Sequence, residues 1–541
     1  MTDASLSVAA SHYAGAHAAD VPIRSEIEKA VAIYERRFPH HAIRFILSQG
    51  MDPVYGHPDI IHGPIVLEPH LLSADTFGII ERGSSSPDAP RLTVRLAFPR
   101  KATPLERKVS DPDWAPRGKL RHLYRASPMM YERLRHWHER RQEARSTGHS
   151  WRSLPFTGFA PDYSAPAPAT ADGRPAILIA MHWLETGGAE KLAFDCVRWA
   201  RDLGLRIFVV AGNRSLQRME GKLGEDVTFL RLDRYLPPHE WPLYLERLIR
   251  EENIGLIHIH HCTPVYAALA HLRVTTPWVK VIDSTHIIEY ADGGFARISG
   301  VWSNYIDMHH VISDQLARMY RERFHTGPKI RLGRMLDRAH SVTPATPNMA
   351  ARQTNLTVTF VGRLYYQKRP ITVVLAMKAL ADWARGAGVV PAFHMVGEGP
   401  FGAACLRLIN RLGLREMVTL HEAGTDVPAL LAKSDIMILP SANEGLALVC
   451  YEAIEQGAIP ISTRVGAQDE ILPDALLVPR DPQQACRGIV AAVRRLWEDQ
   501  AHLDAQAAQL RDRYAALSAD PTAEEVIKDF YQQALAPKEP A

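Results

Sequence analysis

The sequence predicts an α/β protein: two doubly wound, Rossmann-like domains in tandem, facing a cleft, behind an N-terminal extension. Three observations carry that reading. From Ala176 onward, apolar runs of strand length alternate with amphipathic helical stretches, a grammar that implies parallel strands joined by crossover helices. A proline-containing segment, HSVTPATPNMAARQTN (340–355), interrupts the alternation once, and the pattern then restarts. The 541 residues leave room for such a pair and more, at roughly 150 residues per domain.

The elements follow in order. Residues 1–172 form the extension, irregular in texture, with frequent prolines and few clean strand–helix alternations. Between positions 91 and 152, 16 Lys or Arg stand against 6 Asp or Glu. Within that basic half, RGKLRHLYRASPMMYERLRHWHERRQEARS (117–146) places Leu, Tyr and Met at helical spacing. Such a segment predicts a basic amphipathic helix able to lie on an anionic membrane surface, or else a solvated basic face. APAPATADGRP (165–175) reads as a linker. The first Rossmann-like domain, 173–340, runs through AILIAMHW, RIFVVAG, VTFLRL, GLIHIHH, WVKVIDSTH and HHVIS. After a hinge at 341–356, the second, 357–520, runs through TVTFVG, PAFHMVG, MVTLHEAG, SDIMILPS, AIPISTR and ALLVP. Residues 521–541 supply a last helix and tail, TAEEVIKDFYQQAL following the breaker Asp520-Pro521.

Composition excludes several classes. Lys and Arg number 63 and Asp and Glu 60, so the net charge of +3 carries no nucleic-acid signature. Five scattered cysteines, none in a CxxC pair, argue against a disulfide scaffold or zinc ribbon and suit a reducing compartment. The N-terminus shows neither a basic n-region nor an apolar core, and no run reaches the ~18 apolar residues of a membrane span. A cytoplasmic location is the expectation.

The chemistry concentrates in SANEGLALVCYEAIEQGAIPI (441–461), which follows the apolar strand IMILP. Open α/β sheets bind ligands at the carboxyl ends of their strands. Glu444 lies in this loop beside Gly445, a helix starts near Ala447 or Leu448, and Glu452 stands one turn in. Free amides at a helix N-terminus favour phosphate, and flanking carboxylates accept hydrogen bonds from sugar hydroxyls. In VGRLYYQKRP, Arg363 and Lys368 follow the first strand of the second domain, with Gly362 allowing a tight turn. Their cationic groups suit diphosphate oxygens. In the first domain, Gly187 and Gly188 sit between strand and helix, where bare backbone can approach a ligand from the opposite wall.

These pieces together resemble the retaining glycosyltransferases of family 4 (group 1), which have the GT-B fold. The resemblance rests on ETGGAEK (185–191), IHIHH (257–261), DSTH (283–286), VGRLYYQK (361–368), VGEGP (396–400), the 440–461 segment and VGAQDEIL (465–472). It covers about two thirds of the chain, from Ala176 to Leu535. The resemblance implies that Arg363 and Lys368 hold the donor diphosphate, while Glu444 binds donor-sugar hydroxyls with help from the amides of Gly445, Leu446, Ala447 and Leu448. It further implies that Glu452 takes the ribose hydroxyls and that Gly187 and Gly188 let the first domain close over the phosphates. His286 would stand near the reacting sugar carbon. The implied reaction is a front-face substitution without a metal or other cofactor, on a nucleotide-sugar donor and a glycan or lipid-linked acceptor. The implied setting is cell-surface polysaccharide or lipopolysaccharide synthesis. Apart from the resemblance, the basic 91–152 region offers a peripheral contact with the inner face of the cell membrane as one expectation, a solvated basic face being the other. Two stretches depart from the family pattern: LGRMLDRAH (332–340) before the hinge, and His286-Ile287 where His-Asp is usual.

Rival readings are fewer. GEGPFG (397–402) matches a dinucleotide fingerprint, but Pro400 falls inside its turn and the string belongs to the second strand–helix unit. A nucleotide-sugar epimerase and a non-catalytic docking protein on the same scaffold also compete. His258, His260, His261 and Cys262 cluster as a metal site does, yet alternation along a strand turns His261 away from His258 and His260. HWH (136–138), His309-His310 and HGPIVLEPHLL (62–72) carry weaker signals still.

Overall fold

A computed structural model describes residues 21–49, 58–63, 75–98, 114–150, 174–185, 187–336, 344–351, 354–422 and 424–536. The proposed linker at 165–175 falls almost wholly outside these residues, as do most of HGPIVLEPHLL and parts of the 341–356 hinge.

Seventeen strands fall into three sheets among the described residues. The extension carries β1 (Ala42–Gln49), β2 (Asp59–His62), β3 (Thr76–Gly83) and β4 (Arg91–Phe98), in the order β2-β4-β1-β3. The second sheet holds β5 (Ala176–Met181), β6 (Arg206–Ala211), β7 (Val227–Leu230), β8 (Ile254–His260), β9 (Lys280–Thr285), β10 (Met308–Val311) and β11 (Ile330–Leu332). The third holds β12 (Asn355–Val361), β13 (Val390–Val396), β14 (Val418–His421), β15 (Ile436–Leu439), β16 (Ile459–Thr463) and β17 (Leu477–Val478). Both larger sheets are parallel throughout.

Their strand orders are β7-β6-β5-β8-β9-β10-β11 and β14-β13-β12-β15-β16-β17. Each sheet therefore starts in its middle, runs to one edge and then reverses, which is the doubly wound order. The reversal points lie between β5 and β8 and between β12 and β15, where crossovers leave in opposite directions and open a crevice. Helices cover both faces, so strands such as AILIAM in β5 and IMIL in β15 are buried along their whole length. Each fully buried Ile, Leu or Val contributes about 1.5–3 kcal/mol.

The extension is more regular than its texture suggests. The helix Val21–Arg37 lies against the first Rossmann-like domain, where Ile33, Tyr34 and Phe45 share one core with Trp241, Tyr244 and Leu248. Arg36 reaches Glu251 at 2.8 Å and Glu252 at 2.6 Å, and Tyr34 donates to the carbonyl of Tyr235. The predicted basic helix is two helices, Lys119–Ala126 and Pro128–Ser150. The break has a simple cause. Pro128 lacks an amide proton and biases Ser127 to extended backbone, while Pro itself suits a first helical position. These helices pack on the second domain instead, with Trp114 stacked on Phe401 at 4.3 Å. One extension thus touches both domains.

The C-terminal helix Ala523–Leu535 returns to the first domain, burying Ile527 and Tyr531 against the helix Gly188–Asp202 and β8. Its start is set by a reciprocal capping box between Thr522 and Glu525. The departing stretch LGRMLDRAH supplies Arg334, which is buried and pairs with Asp314 at 2.7 Å, Glu470 at 2.5 Å and Asp520 at 2.8 Å. One guanidinium therefore ties the first domain, the second domain and the C-terminal crossover together.

Helix Pro128–Ser150 buries charge against the second domain. Glu132 is 1% exposed, accepts from Thr372 at 3.3 Å, and leaves its other oxygen unpartnered. Burial raises its pKa to about 7, against lowering by Arg135 and Arg369. The native carboxyl keeps its proton up to about pH 7, whereas the unfolded chain releases it near 4.5. Stability therefore falls as pH rises through that window, by an amount on the order of 3 kcal/mol. Glu132→Gln is expected to remove this fall. Thermal unfolding at pH 5 and pH 8 should show a smaller pH difference in the variant, and a variant more stable than wild type at pH 8.

Candidate active site

The predicted residues gather past the carboxyl ends of strands at, or next to, the two reversal points. Gly362, Arg363 and Lys368 follow β12, Glu444 follows β15, and these strands flank the reversal of the second sheet. Gly187 and Gly188 follow β5 and His286 follows β9 in the first.

Lys368 and Glu444 meet directly, Nζ to Oε1 at 2.6 Å, with Glu444 buried. Three contacts hold the surrounding loops in register. Ala442 donates its amide to the Gln367 carbonyl at 2.7 Å, Gln367 Nε2 donates to the Asn443 carbonyl at 3.0 Å, and Leu364 donates its amide to the Glu398 carbonyl at 2.7 Å. Gly362 is not in a left-handed turn. Its role is close approach, since a Cβ there would lie 3.2 Å from Phe360 and 3.4 Å from the Lys368 stem. Arg363 is exposed, and its field bears on His182 and Glu190 of the first domain.

The helix of the 441–461 segment is Leu448–Glu455, with Ala447 as its N-cap. Of the four amides expected to face a donor, that of Ala447 is engaged by Gln468 Oε1 at 3.2 Å. Leu446 is buried. Glu452 is half-buried; burial raises its pKa, Lys191 of the first domain lowers it, and Glu455 raises it.

The two domains touch at this site. A Cβ on Gly445 would lie 1.8 Å from the His286 carbonyl oxygen, so the Glu444 loop sits against the backbone after β9. Asn443 Nδ2 donates to the Ile288 carbonyl at 2.9 Å, and the Gly466 amide donates to Tyr290 Oη at 2.8 Å. Gly466 has φ +56°, and a Cβ there would lie 2.0 Å from the Glu444 carbonyl oxygen. Both counts favour glycine.

Arg480, Tyr290 and Glu143 were not among the predicted residues. Arg480 Nε donates to the Ala442 carbonyl at 2.6 Å, and its other nitrogens pair with Glu143 at 2.9 and 2.6 Å. Its guanidinium also lies 4.4 Å from the Tyr290 ring. An arginine just past the ALLVP strand run was the available signal; its partners, remote in sequence, were not legible.

On the first domain's wall, a Cβ on Gly187 would lie 2.1 Å from Glu190 Oε2, whereas one on Gly188 meets nothing within 4 Å. Glu190 is buried, accepts from Trp183 Nε1 and sits 3.2 Å from His182 Nε2. Burial lowers His182 to about 4 and His286 to about 3, so both imidazoles are neutral near pH 7. His286 is buried, and neither ring nitrogen has a protein partner. His258 is held between Tyr531 at 2.6 Å and Ser284 at 2.8 Å. Its neighbours with metal-ligand atoms, all within 4.8 Å of one another, are His260 and Cys196, not Cys262. His261 lies apart, stacked on Phe295 at 4.4 Å. His309 bonds Asp283 at 2.7 Å, His310 bonds Ser284 at 2.9 Å, and His136 bonds Arg369 at 2.9 Å.

Residues 186–332 match the profile for Glycosyltransferase Family 4, and residues 346–513 match that for Glycosyl transferases group 1. The chain belongs to this family. Together the two matches span more than half of it. The D-inositol 3-phosphate glycosyltransferase of Mycobacterium ulcerans is 26% identical over 220 residues, 39% of this chain and 44% of that protein. The lipopolysaccharide core biosynthesis glycosyltransferase LpsD of Rhizobium meliloti is 29% identical over 144 residues, 25% of this chain and 39% of that protein. The chain thus spans less than half the length of these two curated relatives. Among solved structures, Anabaena HepE in complex with UDP and glucose superposes with TM-score 0.50 at 17% identity, over 66% of this chain and 99% of that one. Sucrose-phosphate synthase from Thermosynechococcus elongatus gives 0.51 at 20% identity, over 66% and 98%. The fold is GT-B, with an N-terminal extension.

Proposed function

We propose that this chain is a retaining glycosyltransferase that moves a sugar from a nucleotide-sugar donor to a hydroxyl acceptor in cell-surface glycan synthesis. The observation that carries the reading is the Lys368–Glu444 pair at the reversal point of the second sheet, with the first domain closed against Gly445. Lys368 and Arg363 supply the positive field for a departing diphosphate. Glu444, Glu452 and the amides at the start of Leu448–Glu455 supply acceptors and donors for hydroxyls and phosphate. Neither site glutamate is assigned as a nucleophile: Glu444 is committed to Lys368, and Glu452 is reserved for the ribose hydroxyls. The acceptor hydroxyl then attacks from the face the nucleotide leaves, and catalysis rests on positioning and on stabilising the leaving charge. Neutral His286 at the domain contact suits a role beside the reacting carbon. These cations supply the field without a divalent metal. HepE, whose structure holds UDP and glucose, and LpsD, named for lipopolysaccharide core synthesis, support a nucleotide-sugar donor and a glycan or lipid-linked acceptor. The proposed location is the cytoplasmic face of a membrane; among the described residues no helix is long and apolar enough to cross one.

Turnover of a nucleotide-sugar panel tests the reading, with the anomeric configuration of the product followed by NMR. One donor consumed with its configuration kept is the expected result. Inversion would overturn the stereochemical part, and failure of every donor the transferase part.

A further inference from the structure

The helices Lys119–Ala126 and Pro128–Ser150 of the extension show an unusual segregation of charge. Over residues 117–145, all three acidic side chains turn inward: Glu132 is buried, Glu139 receives a hydrogen bond from Tyr366 at 2.8 Å, and Glu143 pairs with Arg480. The charged side chains left exposed are all basic, eight of them, from Arg117 to Arg145. Two have acidic neighbours, Arg133 with Asp481 at 3.8 Å and Arg140 with Glu143 at 3.3 Å. Among these cations stand large, exposed apolar groups: Met130 is 50% exposed, Leu134 42% and Trp137 55%, at helical spacing along one face, with Leu120 at 45% on the preceding helix. The patch continues onto the second domain. Arg411 Nη1 donates to the Arg125 carbonyl at 3.1 Å, and on its helix Gly402–Arg411 both Arg407 and Leu406 are exposed.

We infer that this face docks the protein on an anionic lipid bilayer, with Trp137, Leu134 and Met130 entering the interface and the surrounding arginines on lipid phosphates. Charge complementarity selects an anionic surface. The apolar row selects a bilayer over a nucleic acid, whose phosphates would satisfy the arginines but leave Met130, Leu134 and Leu120 uncovered. Because the inner faces of the same helices hold Arg480 and Tyr366, docking would seat the second domain, with its Lys368–Glu444 site, at the membrane. The inference deepens the membrane-facing role proposed above, but its test needs no sugar transfer.

The full-length protein is mixed with vesicles of equal parts phosphatidylglycerol and phosphatidylcholine, or of phosphatidylcholine alone, and co-sedimentation is measured beside binding to a duplex RNA. Binding to the anionic vesicles alone, weakened about tenfold or more by Arg121→Glu/Arg141→Glu, is expected. Trp137→Ser/Leu134→Ser should weaken it as well, and the protein's tryptophan emission should shift to the blue on binding, a shift reduced in that variant. All four positions are exposed, so folding should survive, which circular dichroism checks. Equal binding to both vesicle types, binding to neither, or loss on charge reversal without any effect of the apolar variant would overturn it. RNA binding as tight as vesicle binding would do the same. Vesicle binding by a protein that turns over no nucleotide sugar would keep the docking face and reject the transferase reading.

Discussion

Lys368→Ala is expected to lower sugar transfer by about 10²–10³-fold, the effect of removing one preorganised charge from a leaving group. Two things are lost together. The departing diphosphate loses a cation, and Glu444, buried at 5% exposure, loses the partner 2.6 Å away. An unpaired buried carboxylate is destabilising, so a loss of activity in this variant alone is open to a structural reading. The double variant Lys368→Ala/Glu444→Gln, read beside Glu444→Gln alone, separates the two. Removing the orphaned charge should restore thermal stability relative to Lys368→Ala, while transfer stays low. Recovery of transfer along with stability would show that Lys368 acts only as a strut.

Gly445→Ala is expected to cost about 10²-fold in turnover, through geometry and not through lost contacts. The added methyl would lie 1.8 Å from the His286 carbonyl oxygen and 2.9 Å from its carbon, both backbone atoms with no rotamer to yield. Either the Glu444 loop or the first domain must move, and displacements near 1 Å at a reacting centre have effects of that size. Donor binding, measured separately, should suffer less than turnover, because Lys368 and Glu444 belong to one domain. Gly386→Ala, in the helix Pro370–Ala387 with nothing within 4 Å, is the control and should leave both unchanged. An active Gly445→Ala enzyme would mean that the domain contact seen here is not the one used in catalysis.

The larger sheets were legible because strands buried on both faces read as unbroken apolar runs, and the helices between them imply parallel order. Lys368 and Glu444 were legible for the same reason, as charged residues just past such runs. The extension was not. The face of Pro128–Ser150 that packs on the second domain carries Glu132, His136, Glu139 and Glu143, while Met130, Leu134 and Trp137 point outward. Apolar periodicity therefore finds the helix but not the polar face by which it packs on the second domain. Cys196 illustrates another limit. Alternation along β8 correctly put His258 and His260 on one face, but which helix covers that face is a matter of tertiary packing. Arg480, Tyr290 and Gly466 come from separate elements and converge only through the domain contact.

The most direct test of sugar transfer at the Lys368–Glu444 site is nucleoside diphosphate release from UDP-, GDP- and ADP-sugars by the wild-type protein, with Lys368→Ala beside it. Turnover of one donor by wild type, and its loss in a folded Lys368→Ala protein, is the predicted result. Turnover that is unchanged in Lys368→Ala, or the absence of turnover with every donor and a panel of glycan and lipid-linked acceptors, would contradict it.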